Sequence, residues 1–197
     1  MNRVRIAIVA MGLAALTGCV TPVGPVEVTR FHAEDITPLG KGTIAVEPAA
    51  GADAGSLEWQ TYRGAVIRQL VLIGYTEAAP GSGGQVATLK LARSTIRPDG
   101  SSGPVSVGVG GSTGSYGSGL GVGIGFNLSP KPKASVVTDL AVSIRERTSG
   151  KVLWEGRASF TVGSGSPLAT TGLAAPKMAE ALFQGFPGNS GETIQVQ

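Results

Sequence analysis

Apolar side chains recur along this chain with two spacings, and the switch between them marks out the elements. From Ser56 to Ile73 the spacing is three or four: Trp59, Tyr62, Val66, Leu70 and Ile73 share one stripe, with Arg63 and Gln69 off it. That is the signature of an amphipathic helix. Ser56 supplies an N-cap, Gly74 a left-handed end, and Tyr75 restarts extended chain. Elsewhere the spacing is two. It predicts a first strand over Val26 to His32, a second over Gly42 to Glu47 ended by Pro48, and a third over Gln85 to Ile96 before a turn at Pro98-Asp99-Gly100. Val136 to Arg147 and Val152 to Val162 alternate around a tight connection at Thr148 to Lys151, which predicts a hairpin with Val152, Trp154, Ala158, Phe160 and Val162 on one face. Pro176 is placed to open a second helix over 176–184 carrying Met178 and Leu182, with Gly185 and Pro187 as stops.

Single-striped helices and alternating strands bury each other in two layers. The expected fold is α+β: a mostly antiparallel sheet of about five to seven strands, with both helices packed on one face. One domain over residues 28–187 accounts for these elements, followed by a polar tail over 188–197.

Residues 100–130 interrupt this plan without a single charge. Val105, Val107 and Val109 alternate with Ser and Gly; beyond a run of glycines, Leu120, Val122, Ile124, Phe126 and Leu128 alternate with Gly and Asn. The pattern predicts a glycine-rich β-hairpin with one apolar and one nearly bare face, held weakly because glycine loses more backbone entropy on ordering than other residues. Three readings stand. The hairpin extends the sheet, serves as an interaction loop whose uncharged edge pairs with another chain, or inserts into a bilayer as part of an oligomeric pore. Tyr116 and Phe126 are the only aromatics in the segment, too few for interfacial girdles.

Ahead of the domain, Arg3 and Arg5 precede an apolar run from Ile6 to Leu16. Eleven residues fall short of the roughly 20 that a membrane-spanning helix needs, so residues 1–18 read as a secretory signal peptide. It ends Leu16-Thr17-Gly18-Cys19, which resembles the lipobox of bacterial lipoproteins. That resemblance implies cleavage between Gly18 and Cys19 and lipidation at Cys19, with palmitate among the acyl chains. Residues 19–27, with Pro22, Gly24 and Pro25, then form a tether. Cys19 is the sole cysteine, so no disulfide competes for it. Val20 rather than Asp follows it, and in two-membrane lipoproteins this implies sorting to the outer membrane, on its periplasmic face. The anchor makes the membrane the first expected partner, with an envelope protein as a possible second.

Charge narrows the remaining classes. Removing Arg3 and Arg5 leaves 14 basic against 13 acidic residues, and no basic run survives to suggest nucleic acid. Gly110 to Gly114 matches G-x-S-x-G around Ser112, but a nucleophile elbow needs a strand-to-helix turn that the sequence does not supply there. His32 is the only histidine, and with one cysteine it leaves no nitrogen or sulfur cluster for zinc. Asp139, Glu146 and Glu155 fall on paired strands and read as a solvated face. No cofactor, metal or catalytic residue is expected.

In order along the chain, the lipobox, Phe31 in a strand, Glu47-Pro48, Leu70 to Tyr75, the charge-free Gly/Val segment and Gly150-Lys151-Val152-Leu153-Trp154-Glu155-Gly156 after a strand with Asp139 resemble the bacterial lipoprotein family of domain of unknown function 4136. The resemblance covers roughly residues 26–187. It implies a location and a fold, and transfers no catalytic residue. The expected function is a non-enzymatic envelope lipoprotein with a structural or accessory role in outer-membrane maintenance or assembly. A carrier of a lipid or small apolar ligand is the alternative, and a pore component a further one.

Overall fold

Trp59, Tyr62, Ala65, Val66 and Leu70 make one buried stripe along α1, Leu57–Ile73. The Ser56 hydroxyl accepts the Trp59 N–H at its start, and Gly74, at φ 119°, returns its N–H to Leu70 and Val71 at its end. A side chain at Gly74 would also press on the Gly40 carbonyl, 2.7 Å from where its Cβ would sit. These details belong to a computed structural model that describes residues 23–97, 105–114, 117–126 and 133–197. The signal peptide, with Gly18, and residues 19–22 of the tether, with Cys19, lie outside the described residues.

The strands are β1 Val26–His32, β2 Thr43–Pro48, β3 Thr76–Glu77, β4 Gln85–Ile96, β5 Val105–Gly114, β6 Gly117–Phe126, β7 Ser135–Glu146, β8 Val152–Gly163 and β9 Thr193–Val196. The second helix, α2, spans Thr171–Phe183. Seven strands form one sheet in the order β3-β2-β4-β7-β8-β1-β9. The pairs from β4 through β9 are antiparallel, while β2 runs parallel to β3 and β4. The parallel join of β2 to β4 is made by the crossover through α1. The architecture is therefore α+β with a mostly antiparallel sheet.

Alternation puts Leu140, Val142, Ile144, Trp154, Ala158 and Phe160 on the face that meets the helices, all buried. Tyr62 ties the helices together, its hydroxyl donating to Met178 Sδ at 3.8 Å. Burial pushes the Tyr62 phenol up to about 12. Trp154 stacks on Phe183, centroids 5.3 Å apart, leans on Phe186 at 5.2 Å, and donates Nε1–H to the Pro187 carbonyl at 3.0 Å. Gly156 makes room for it. A Cβ there would collide with Trp154 Cη2 and lie 2.8 Å from Leu182 Cδ1.

Four details depart from the sequence expectation. The helix expected to open at Pro176 begins at Thr171 and carries Pro176 inside it. Proline there removes a donor to the Gly172 carbonyl, but both residues are exposed, so water can serve that oxygen. The buried Ala174, Ala175, Met178, Ala179 and Leu182 hold the turn in place. Second, the β7–β8 register shifts between Ile144 and Arg145, a bulge that buries Leu153 and turns Val152 outward. Third, the segment read as a polar tail joins the sheet, because Thr193–Val196 pairs with β1 as β9.

The fourth concerns the insert. β5 and β6 pair antiparallel with each other and form a two-stranded sheet of their own, not an extension of the main one. Their register sets Val107 opposite Ile124, Val109 opposite Val122, and Gly108 opposite Gly123. Apolar positions thus oppose apolar ones. In the main sheet, Glu27, Ser159, Asp139 and Ala92 align in one row across β1, β8, β7 and β4.

Candidate functional site: the open face of the sheet

The helices cover one side of the sheet, and the other side presents the alternate residues of β4, β7, β8 and β1. Register aligns Lys90, Ala141, Arg157 and Thr29 in one row, and Thr88, Ser143, Glu155 and Phe31 in the next. Between these rows lies a shallow groove of about 380 Å³, floored by Ala141 and by the backbone at Val142 and Gly156. Phe31 forms an apolar wall and is 53% exposed. Lys90 and Arg157 flank Ala141 two strand spacings apart, about 10 Å.

Ion pairs are few among the described residues. Arg63, Arg93 and Arg147 are ion-paired with Glu77, Glu58 and Glu47. Among the described residues, Lys90 and Arg157 have no carboxylate within ion-pair distance. Glu155 in the groove accepts from Ser143 Oγ at 3.2 Å, and Ser143 Oγ in turn accepts from Arg145 Nε at 3.3 Å. The groove therefore offers two free cations, one hydrogen-bonded carboxylate, and an aromatic wall. It can hold a ligand or a chain segment by stacking and charge.

The residues weighed for chemistry lie apart. Ser112 sits within β5 opposite Gly119, on a strand and not on a strand-to-helix turn. His32 closes β1, its Nδ1 2.7 Å from the Ala33 carbonyl oxygen, and its backbone N–H donates to Ser190 Oγ at 3.1 Å. Asp139 and Glu155 share the open face, but the row of Ala141 and Arg157 separates them. Glu146 is at the β7 end, where the Ser149 hydroxyl donates to it. Among the described residues, no three His, Cys, Asp or Glu side chains gather as a metal site. No described helix is long and apolar enough to cross a membrane, which leaves strand-based crossing untouched. Gly18 and Cys19 lie outside the described residues.

Two features were missed by sequence reasoning. Arg30, at a core-facing position of β1, is buried to 4% exposure, and desolvation lowers its pKa although Glu192 acts in the opposite sense. Glu47, noted in the sequence only as an acidic-Pro exit, accepts Arg147 Nη2 at 2.6 Å and the Gly81 N–H at 2.8 Å. Those bonds hold its carboxyl below the usual range, the Arg147 hydrogen bond most of all.

No family model matches the chain. An uncharacterised protein from Zymomonas mobilis is 37% identical over 62 residues, which are 32% of this chain and 23% of that protein. The chain thus spans less than a quarter of the curated relative it matches. Among solved structures, a PDZ domain protein from Parabacteroides distasonis aligns at 10% identity with a TM-score of 0.49, over 94% of this chain and 41% of that one. The PelC dodecamer from Paraburkholderia phytofirmans aligns at 11% with a TM-score of 0.43, over 83% and 99%. Likenesses at these scores carry no argument about function.

Proposed function

We propose that this chain is a lipid-anchored, periplasm-facing envelope lipoprotein of the outer membrane, non-enzymatic, which uses the open sheet face to hold a partner protein. The reading rests for location on the signal segment ending at Gly18-Cys19 and on the resemblance to the domain of unknown function 4136 lipoproteins. For function it rests on one observation: a groove with two uncommitted cations and an exposed phenylalanine, on the face the helices leave bare. An exposed aromatic beside unpaired basic side chains is the composition of a protein contact surface. The partner's role in maintenance or assembly of the membrane follows from where the anchor would place it.

The groove volume also falls within the range of small-ligand sites, about 300–1,000 Å³, which favours the carrier as second reading. The helix-side core is occupied by Trp154, Tyr62, Phe160, Leu70 and Leu182, so a carried ligand belongs in the groove. The test is a photoreactive residue at Ala141 in the membrane-bound protein. A protein adduct lost in Lys90→Glu/Arg157→Glu supports the partner reading, and a lipid adduct supports the carrier. Labelling that the double charge reversal leaves unchanged would refute both uses of the groove.

A further inference from the structure

The main sheet has two edges, and they are built differently. One is β3, two residues long, where Glu77 is paired with Arg63 at 3.3 Å. Shortness and charge both blunt an edge against pairing. The other is β9, four residues long, and from Thr193 to Gln197 it carries no charge and no proline.

The direction of the free backbone groups on β9 follows from the neighbouring hydrogen bonds. Arg30 donates its N–H to the Glu192 carbonyl and accepts the Gly191 N–H, while Ala33 donates to Leu153. Even-numbered residues of β1 therefore bond toward β9, and odd-numbered ones toward β8. Val28 opposes Ile194 and Val26 opposes Val196. The backbone groups of Ile194 and Val196 are thus committed to β1, and those of Thr193 and Gln195 point away from the sheet. Beside them, α2 and β9 bound a groove of about 530 Å³ lined by Lys177, Glu180, Ala181, Gln184, Ile194 and Val196.

We propose that β9 is a self-association edge, to which a second copy of this chain adds its own β9, antiparallel and centred on Gln195. At that centre, each Gln195 exchanges both backbone hydrogen bonds with its copy. The two-fold axis stands perpendicular to the sheet, so the helices of both copies stay on the same face. Ile194 then meets Val196 of the second copy on the helix side, where the groove has room for both. The lack of charge lets a second copy pair without self-repulsion. Near a two-fold axis each side chain faces its own kind, so an edge charge would repel itself, and β9 has none.

Sedimentation of the full chain in detergent micelles tests this, with far-UV circular dichroism as the folding control. Wild type is expected to form a concentration-dependent dimer, and so is Cys19→Ala, because the contact does not use the anchor. Gln195→Pro removes the outward N–H at an edge position that tolerates proline, leaving the bonds to β1 intact. It is expected to weaken the dimer about tenfold or more, for two lost hydrogen bonds. Gln195→Lys sets two cations against each other, and its weakening should fade with added salt. A monomeric wild type overturns the proposal, and so does a Gln195→Lys protein that dimerises like wild type at low salt.

Discussion

The guanidinium of Arg93 on β4 meets the carboxylate of Glu58 in the first turn of α1 at 2.8 Å. The same Nη1 lies 2.8 Å from Thr171 Oγ1, and Nη2 donates to the carbonyl of Ala169 just before α2. Thr171 also donates to Glu58, at 3.0 Å. One side chain thus closes the starts of both helices onto the sheet. Arg93→Met is expected to cost about 1–3 kcal/mol, the range for losing charge-assisted hydrogen bonds in a half-buried site. Urea unfolding checks it. A cycle with Glu58→Gln should show coupling, and additive losses would mean the two residues act separately.

Trp154 and Gly156 form a second coupled pair. Trp154→Ala should cost about 3–5 kcal/mol, as for other large buried aromatics. Gly156→Ala forces a methyl into the indole and should cost about 1–3 kcal/mol by overpacking. The same alanine in a Trp154→Phe background should cost less. Thermal or chemical unfolding of the three variants measures it.

Glu47 and Tyr62 each tie stability to pH, from opposite ends of the scale. Glu47 has a depressed pKa, so its contribution is present above the ordinary carboxylate range and is lost as pH falls through its folded value. Arg147→Ala should therefore flatten the acid limb of the stability curve. Tyr62 is raised, so its contribution is full below its ordinary value of 10.0 and declines as pH rises toward about 12. Tyr62→Phe should remove that part of the alkaline decline. Unfolding midpoints from pH 3 to 11 read both limbs.

Arg30 offers the opposite outcome to most core substitutions. A buried cation is costly unless paired, and replacing one with an apolar side chain of similar volume is often neutral or stabilising. Arg30→Met is expected to leave stability unchanged or raise it in urea titrations. A loss above about 1 kcal/mol would show that the guanidinium is held by bonds worth more than its desolvation.

At the anchor, intact mass of the mature protein should fit a chain starting at an acylated Cys19, and Cys19→Ala should lose both the added mass and palmitate label. An unmodified mature protein ends that reading.

What could be read from the sequence was local. Ser56, the Trp59–Leu70 stripe and Gly74 define α1 within nineteen residues, and the β7–β8 hairpin announces itself through alternation around a short turn. β9 escaped because four residues with two polar ones give too short a pattern, and its partner β1 lies more than 150 residues away. The start of α2 escaped because packing of small side chains outweighs the cost of an internal proline. The groove was half legible. Alternation along β4 and β8 puts Lys90 and Arg157 off the apolar face, but only long-range register brings them to either side of Ala141.

The row joining Glu27, Ser159, Asp139 and Ala92 has a topological consequence. The chain enters β1 at the same end of the sheet where it leaves β4 and enters β7, so the start of β1, the end of β4 and the start of β7 share one pole. Six residues lie between Cys19 and Val26, a leash of at most about 25 Å. If Cys19 carries lipid, that pole hangs within a leash-length of the bilayer, and it is the pole at which the chain leaves β4 and re-enters at β7. The row of Phe31 and Glu155 lies toward the far pole, which such an anchor would turn away from the membrane.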